Sequence, residues 1–291
     1  MTKRLFGTTR GINLSAILMA TWLGACQGAS PDGMAAGESE ILAANGLTSN
    51  GLTSNGLTSN GLTSNGLTSN GLTSNKLTPT TLTALRDKTA TGDTTRIFFR
   101  YLVSCALPAT HSMSYTWTDS AGVVHTETNP GGFGLAPGWE TGAVDLSGQE
   151  WVSACLFART NSLGVSVPIS IRGGAQPTLA ATAQERLDYP FGEGAFWGNL
   201  FLPIPIARSC HRSALQVGAT TSTDLKNGRT CAAQGCGIIF HVGPCYQSAT
   251  ASLGQACFDR AANNDWVSDC NSLMTVSPIS SEHVITTWLR P

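Results

Sequence analysis

The chain has 291 residues, a formal net charge of −1, only 12 % charged residues and no basic run. A nucleic-acid binder needs a concentrated cationic face and is excluded. The sparse charge and abundant glycine suit a loop-rich, extracytoplasmic protein better than a cytosolic enzyme. In chain order, the first predicted element is a leader. Lys3, Arg4 and Arg10 form a positive stretch without an acid, and residues 12–23 are mostly apolar but too short to cross a bilayer. Leu23, Gly24 and Ala25 then precede Cys26. Removing residues 1–25 takes Lys3, Arg4 and Arg10 with it and leaves a formal charge of −4.

Leu23-Gly24-Ala25-Cys26 resembles the lipobox of bacterial lipoproteins. The resemblance implies cleavage before Cys26, a diacylglyceryl thioether on its sulfur and acylation of the new amine. Two or three acyl chains anchor stably where one does not. Gln27, rather than Asp, at the next position implies the outer membrane. The expected partner is therefore a membrane, reached through lipid. Cysteine parity points the same way. Of nine cysteines, Cys26 stands alone near the N-terminus, and Cys105, Cys155, Cys210, Cys231, Cys236, Cys245, Cys257 and Cys270 remain. An even set in an exported protein reads as disulfides.

Behind Cys26, residues 26–83 read as a linker. Asn-Gly-Leu-Thr-Ser repeats six times over residues 45–74, followed by a decayed copy, Asn75-Lys76-Leu77-Thr78-Pro79. A period of five advances about 500° around a helix, so successive leucines make no stripe. On a strand an odd period alternates faces. The tract resembles the pentapeptide-repeat solenoid in its central Leu followed by Thr, but departs from it at the preceding Asn-Gly. Too few copies are present to stack a core. A disordered tether is the expected state, and residues 27–79 as a flexible chain would span about 40 Å r.m.s.. Asn-Gly-Leu tracts behind a lipobox are similar to those of an uncharacterised bacterial lipoprotein family. That likeness extends to Gly134-Leu135-Ala136-Pro137-Gly138-Trp139 and implies no activity.

The rest reads as one α+β ectodomain, residues 84–204 forming a core and 205–291 a Cys-rich, loop-rich part of the same unit, with a split near 205 as the alternative. Asp93 or Thr94 is placed to cap a helix ending before Pro108, with Ile97, Phe98, Tyr101, Leu102 and Cys105 on one face. Residues 112–118 and 123–128 form a hairpin around Asp119-Ser120-Ala121-Gly122. Pro130 to Trp139 is a glycine-rich loop. Ser147-Gly148-Gln149-Glu150 has the pattern of a capping box and opens a helix to about Asn161, with Trp151, Val152, Cys155 and Leu156 on one face. Cys105 and Cys155, both on apolar helix faces, are expected to pair. Val165, Val167, Ile169 and Ile171 alternate as a half-buried strand, and Pro168 argues for an edge. A short helix over 182–188, an extended aromatic stretch over 191–202, a short strand over 238–242 and a final strand over 284–289 complete the pattern.

No local catalytic signature is present. Cys231, Cys236, His241 and Cys245 approximate a zinc spacing, but exported thiols should oxidise, so disulfides are preferred and no cofactor is expected. Asn263, Asp265 and Asp269 offer oxygens to calcium but miss the EF-hand pattern, and turn formation explains them. Glu193, between glycines and beside Phe191, Phe196 and Trp197, is the catalytic candidate: an acid in apolar surroundings can act as a general acid on a glycan. Glu185 or Asp188 would be its partner carboxylate, and His211 a neighbour. Two functions follow. The first is a non-catalytic, membrane-anchored surface module for an envelope glycan or protein. The alternative is an envelope hydrolase using Glu193.

Overall fold

The largest sheet in the computed structural model is built from segments spread across the chain. The residues described are 42–44, 47–48, 79–161, 168–174, 176–202, 204–212, 231, 237–246, 256–270 and 283–291. All of them fall in one compact unit, Ala36–Pro291. The leader, Cys26, Cys236 and most of the repeat tract lie outside the described residues.

Two short strands come first, β1 (Leu42–Ala44) and β2 (Leu47–Thr48), then helices α1 (Pro79–Leu85) and α2 (Ala90–Ala106). Thr89, not Asp93 or Thr94, caps α2, its hydroxyl accepting the Thr91 amide at 3.3 Å. Asp93 instead sits in the first turn and pairs with Arg96. Phe98, Phe99, Leu102, Val103 and Cys105 face the core, whereas Ile97 is 44 % exposed. The inward face is rotated from the expected one because Arg96 is buried. Its guanidinium donates to the Leu85 and Asp87 carbonyls, both at 2.8 Å, and lies 3.6 Å from the Trp117 ring centroid. Leu107 ends the helix before Pro108.

Strands β3 (Ser112–Thr118) and β4 (Val124–Pro130) form the antiparallel hairpin, with Met113 and Tyr115 turned inward. A 3-10 turn at Pro137–Glu140 buries Trp139. Helix α3 (Leu146–Ala158) is buried at every position from Trp151 to Ala158, not on one face. It lies on the sheet on one side and against α2 on the other, so no polar stripe is needed. A disulfide joins Cys105 of α2 to Cys155 of α3.

After β5 (Thr160–Asn161) come β6 (Pro168–Arg172), a 3-10 turn at Pro177–Leu179, α4 (Ala183–Asp188), β7 (Phe191–Asn199) and β8 (Ile206–His211). The last strands are β9 (Phe240–Pro244), the hairpin β10 (Cys257–Arg260) and β11 (Val267–Cys270), and β12 (Ile285–Leu289). The six-stranded sheet runs β1-β6-β12-β7-β8-β9, antiparallel throughout except for the parallel β8–β9 pair. The final strand β12 is thus central, between β6 and β7.

Strand β6 is not an edge strand, because Leu42–Ala44 pairs along its outer side. Pro168 is tolerated as the first residue of the strand, where loss of its N–H matters least. Nor is β6 half-buried: Ile169, Ser170, Ile171 and Arg172 are all buried, since both faces of the sheet are covered. Val165 and Val167 lie outside the described residues. On one face Phe196, Ile169, Ile171, Ile285 and Leu289 join the core under α2 and α3; on the other, Ala195, Trp197 and Val284 pack with Cys210, Cys245, Cys257 and Cys270. Strand β7 is glycine-rich for a reason. Gly198 has φ +131°, and a Cβ there would stand 2.1 Å from the Ile206 carbonyl oxygen.

The expected linker holds three structured pieces. Leu42–Ala44 extends the sheet, Leu47–Thr48 from the first repeat copy pairs in parallel with Thr160–Asn161, and α1 begins at Pro79. The added strand satisfies backbone groups that β6 would otherwise leave open at its edge.

Candidate functional site

Besides Cys105–Cys155 between the helices, two disulfides among the described residues lie in the Cys-rich face. Cys210 bonds Cys245, and Cys257 bonds Cys270 across the β10–β11 hairpin. Cys231 is also disulfide-bonded, to a partner outside the described residues. The sulfurs of Cys210, Cys245 and Cys257 gather closely, with Cys210 Sγ 3.8 Å from Cys257 Sγ. Oxidised sulfur is not a thiolate ligand, so this cluster and the Cys231–Cys245 spacing form no zinc site.

Glu193 is 1 % exposed, and a general acid that cannot meet a bulky glycan cannot protonate it. Nor does it face His211. The β7–β8 register sets Gly194 opposite His211, so strand alternation sends Glu193 to the Cys-rich face and His211 to the other. His211 instead meets His241 on β9, Nδ1 to Nε2 at 3.1 Å, and burial lowers its pKa from the ordinary histidine value. Glu185 is buried and acts electrostatically on Arg172 and Arg186, while Asp188 is exposed and accepts from Gln184 at 2.9 Å.

The strongest electrostatic centre is Asp265, which the sequence marks only as a turn former. It is 6 % exposed and accepts Arg172 Nη1 at 2.9 Å, Arg186 Nε at 2.7 Å and Asn263 Nδ2 at 2.8 Å. Both of its oxygens thus accept hydrogen bonds from neighbouring side chains. Burial pushes the Asp265 carboxyl up. The Arg186 hydrogen bond and the Arg172 charge outweigh that and hold it below the ordinary value. Burial pulls Arg172 down and the Asp265 charge opposes this; Arg186 is raised, chiefly by its bond to Asp265. Trp288 of the central strand donates its indole N–H to the Asp265 carbonyl at 2.8 Å. The guanidinium carbons of Arg172 and Arg212 lie 4.2 and 4.5 Å from its ring centroid.

Beside this centre is a cleft of about 290 Å³, at the small end of ligand sites. Gly174, Gln176, Arg186, Asn263, Asp265 and Trp266 supply its character. The Trp266 indole lies on Gly174, where a Cβ would come within 2.7 Å of the ring. Asn263 is locked by accepting the Asp265 amide at 3.2 Å while donating to its carboxylate. Asn263 and the Arg186 guanidinium are therefore oriented by Asp265 before any ligand arrives, which lowers the ordering cost of binding.

A second constellation lies at the start of α3. The expected capping box does not form. Asp145 caps the helix, accepting the Gly148 amide at 2.7 Å, because its carboxylate stands at the N-cap position two residues before Ser147. Ser147 and Glu150 turn instead to His283. Ser147 Oγ is 2.9 Å from His283 Nε2, and Glu150 Oε2 is 2.5 Å from His283 Nδ1. The sequence carries no signal for this meeting, since the partners are 136 and 133 residues apart.

Residues 46–73 match the GLTT repeat family in six copies. No match was found among curated proteins or among solved structures. The chain is thus a repeat-bearing polypeptide followed by an α+β unit with disulfides at its core.

Proposed function

We propose that the protein is an exported lipoprotein, anchored through Cys26, whose folded unit is a binding module for a neutral saccharide of the cell envelope. The observation that carries the binding reading is the cleft beside Asp265, lined by the held Asn263 amide, the Arg186 guanidinium and the Trp266 indole. Sugar rings bind by stacking a C–H face on an aromatic plane and sharing hydroxyls with planar polar side chains. Arg172 and Arg186 are met by Asp265 and by the charge of Glu185, so the site has no surplus charge calling for an anion. Titration of the folded protein with N-acetylglucosamine oligomers, read by calorimetry, is expected to show binding that weakens at least tenfold in Trp266→Ala. Unchanged affinity in that variant, or no binding by any oligomer, overturns the reading.

The anchoring rests on parity. Cys105, Cys155, Cys210, Cys231, Cys245, Cys257 and Cys270 are disulfide-bonded, which leaves an even set of eight beyond Cys26 once the remaining cysteine of the sequence is counted. Disulfides of this density belong to an oxidising compartment, and no helix among the described residues is long and apolar enough to cross a membrane. Intact mass of the mature protein is expected to lack residues 1–25, to carry diacylglyceryl and acyl groups on Cys26, and to expose eight alkylatable thiols only after reduction. A free, unmodified Cys26 thiol overturns the anchor and leaves the cleft untouched.

A further inference from the structure

We infer that Ser147, His283 and Glu150 form a catalytic triad that hydrolyses carboxylic esters, an activity separate from the cleft beside Trp266. The connectivity of the hydrogen bonds carries this. An ionised glutamate is acceptor-only, so at 2.5 Å it takes the Nδ1–H of His283. That fixes the tautomer and leaves the Nε2 lone pair facing the Ser147 hydroxyl at 2.9 Å. Nucleophile, base and orienting acid thus follow one another in the order and at the distances that acyl transfer requires.

Burial grades along the line as well. Ser147 is exposed, the His283 side chain is 24 % exposed and the Glu150 side chain 14 %. The attacking oxygen meets solvent and substrate while the orienting carboxylate is shielded. The Trp151 ring meets the imidazole edge-on at 5.2 Å, and the fully buried Val284 and central strand β12 follow His283 directly. Ser147 is fixed by the first turn of α3, and its hydroxyl is not needed there, since Asp145 caps the helix. The Gly148 amide of that turn is taken by the Asp145 carboxylate, which leaves the first N–H groups of the helix as the donors available to an oxyanion beside Ser147. Leu146, 61 % exposed next to the nucleophile, offers an apolar contact for the acyl group.

The reaction balances with water alone. Ser147 Oγ attacks the ester carbonyl as its proton passes to His283 Nε2. The tetrahedral adduct expels the alkoxide, which takes that proton and leaves as the alcohol. Water then gives a proton to His283 Nε2, attacks the acyl-serine, and the carboxylic acid departs as Ser147 recovers its proton.

The test uses the mature protein with p-nitrophenyl acetate, p-nitrophenyl butyrate, a fluorophosphonate probe and the corresponding p-nitroanilide. Ser147 is expected to be the phosphonylated residue by peptide mass mapping. kcat/KM for the esters is expected to fall on the order of 10²-fold or more in Ser147→Ala and His283→Gln, and Glu150→Gln is expected to lower kcat with little change in KM. Ser147→Ala should melt with the native protein, because the residue is exposed and the cap is Asp145. Should His283→Gln not fold, Ser147→Cys tests the same contact, its thiol expected to alkylate at pH 7 faster than a free cysteine. Absence of label on Ser147, ester hydrolysis unchanged in Ser147→Ala, an ordinary thiol rate in Ser147→Cys, or turnover of the anilide but not the esters overturns the proposal.

Discussion

Replacing Asp265 with alanine is expected to destabilise the folded unit by about 3–5 kcal/mol, the cost of leaving a buried charge without its partner. The charge in question is Arg172, 2 % exposed, whose Nη1 donates to Asp265. Arg186 contributes less to the loss, since its side chain is 41 % exposed and water can resolvate it. The measurement is reversible denaturation of the disulfide-intact protein, where a loss of that size lowers the melting temperature by roughly 10 °C. The double variant Asp265→Ala/Arg172→Met is expected to recover much of the loss, because it removes the orphaned guanidinium as well. If the double variant is as unstable as the single one, the damage comes from the loop of Asn263 and Asp265 and its bond to Trp288, and not from the charge. The pH dependence has a definite sign. The Asp265 carboxyl titrates below its unfolded value, so its contribution is complete above the ordinary aspartate pKa, about 4. It is lost as pH falls through the lower folded value. Asp265→Asn should flatten that part of the acid-stability curve.

The second large effect is expected from Cys105 and Cys155. Closing a loop with a sequence separation of 50 is worth about 4 kcal/mol in the chain-entropy model. The double variant Cys105→Ala/Cys155→Ala should lose about that much, with near-native circular dichroism. The α2–α3 contact survives through Phe98, Phe99, Leu102, Trp151 and Val152, all buried. Single variants should be worse, since each leaves a thiol able to exchange with the other disulfides when the chain opens. Arg159 makes this site more than a staple. It is 1 % exposed, donates to Cys105 Sγ at 3.6 Å and stands 4.3 Å from the Tyr101 ring centroid; burial pulls its pKa down to about 10. It therefore stays charged at neutral pH, and the aromatic face compensates part of its desolvation. A loss well below 1 kcal/mol in the double cysteine variant would mean that the denatured chain already holds the two helices together.

Local chemistry made much of this fold legible. Pro108 ends α2, Thr182 caps α4 through the Glu185 amide at 3.1 Å, and the turn after Thr118 joins the expected hairpin. The apolar stretches of α2 and α3, each carrying one cysteine, pointed to the Cys105–Cys155 pair. The misplacements share one cause. Ser147 and Asp93 both satisfy a capping rule, yet each is diverted by a side chain that the rule does not see, His283 in one case and Arg96 in the other. Ile97 fits the helical period and is exposed because Arg96 takes an inward position. Pro168 suggests an edge, which a strand more than a hundred residues upstream covers.

The functional positions divide the same way. From sequence, Glu193 is distinctive because aromatic residues flank it, but a strand sends neighbours to opposite faces, and both faces here are covered. Asp265 and His283 look ordinary in sequence, the one a turn former and the other a lone histidine. Sequence by itself determined the six-copy repeat, the even number of cysteines after Cys26, helices α2, α3 and α4, and strands β3, β4, β6, β9 and β12, because each is written in adjacent residues or in a period of two or 3.6. Only the tertiary structure decided that the last strand is central, that Arg172 meets Asp265 across 93 residues, and that Ser147 and Glu150 close on His283. Those pairings offset the entropy of closing long loops through packing and charge that no local pattern encodes.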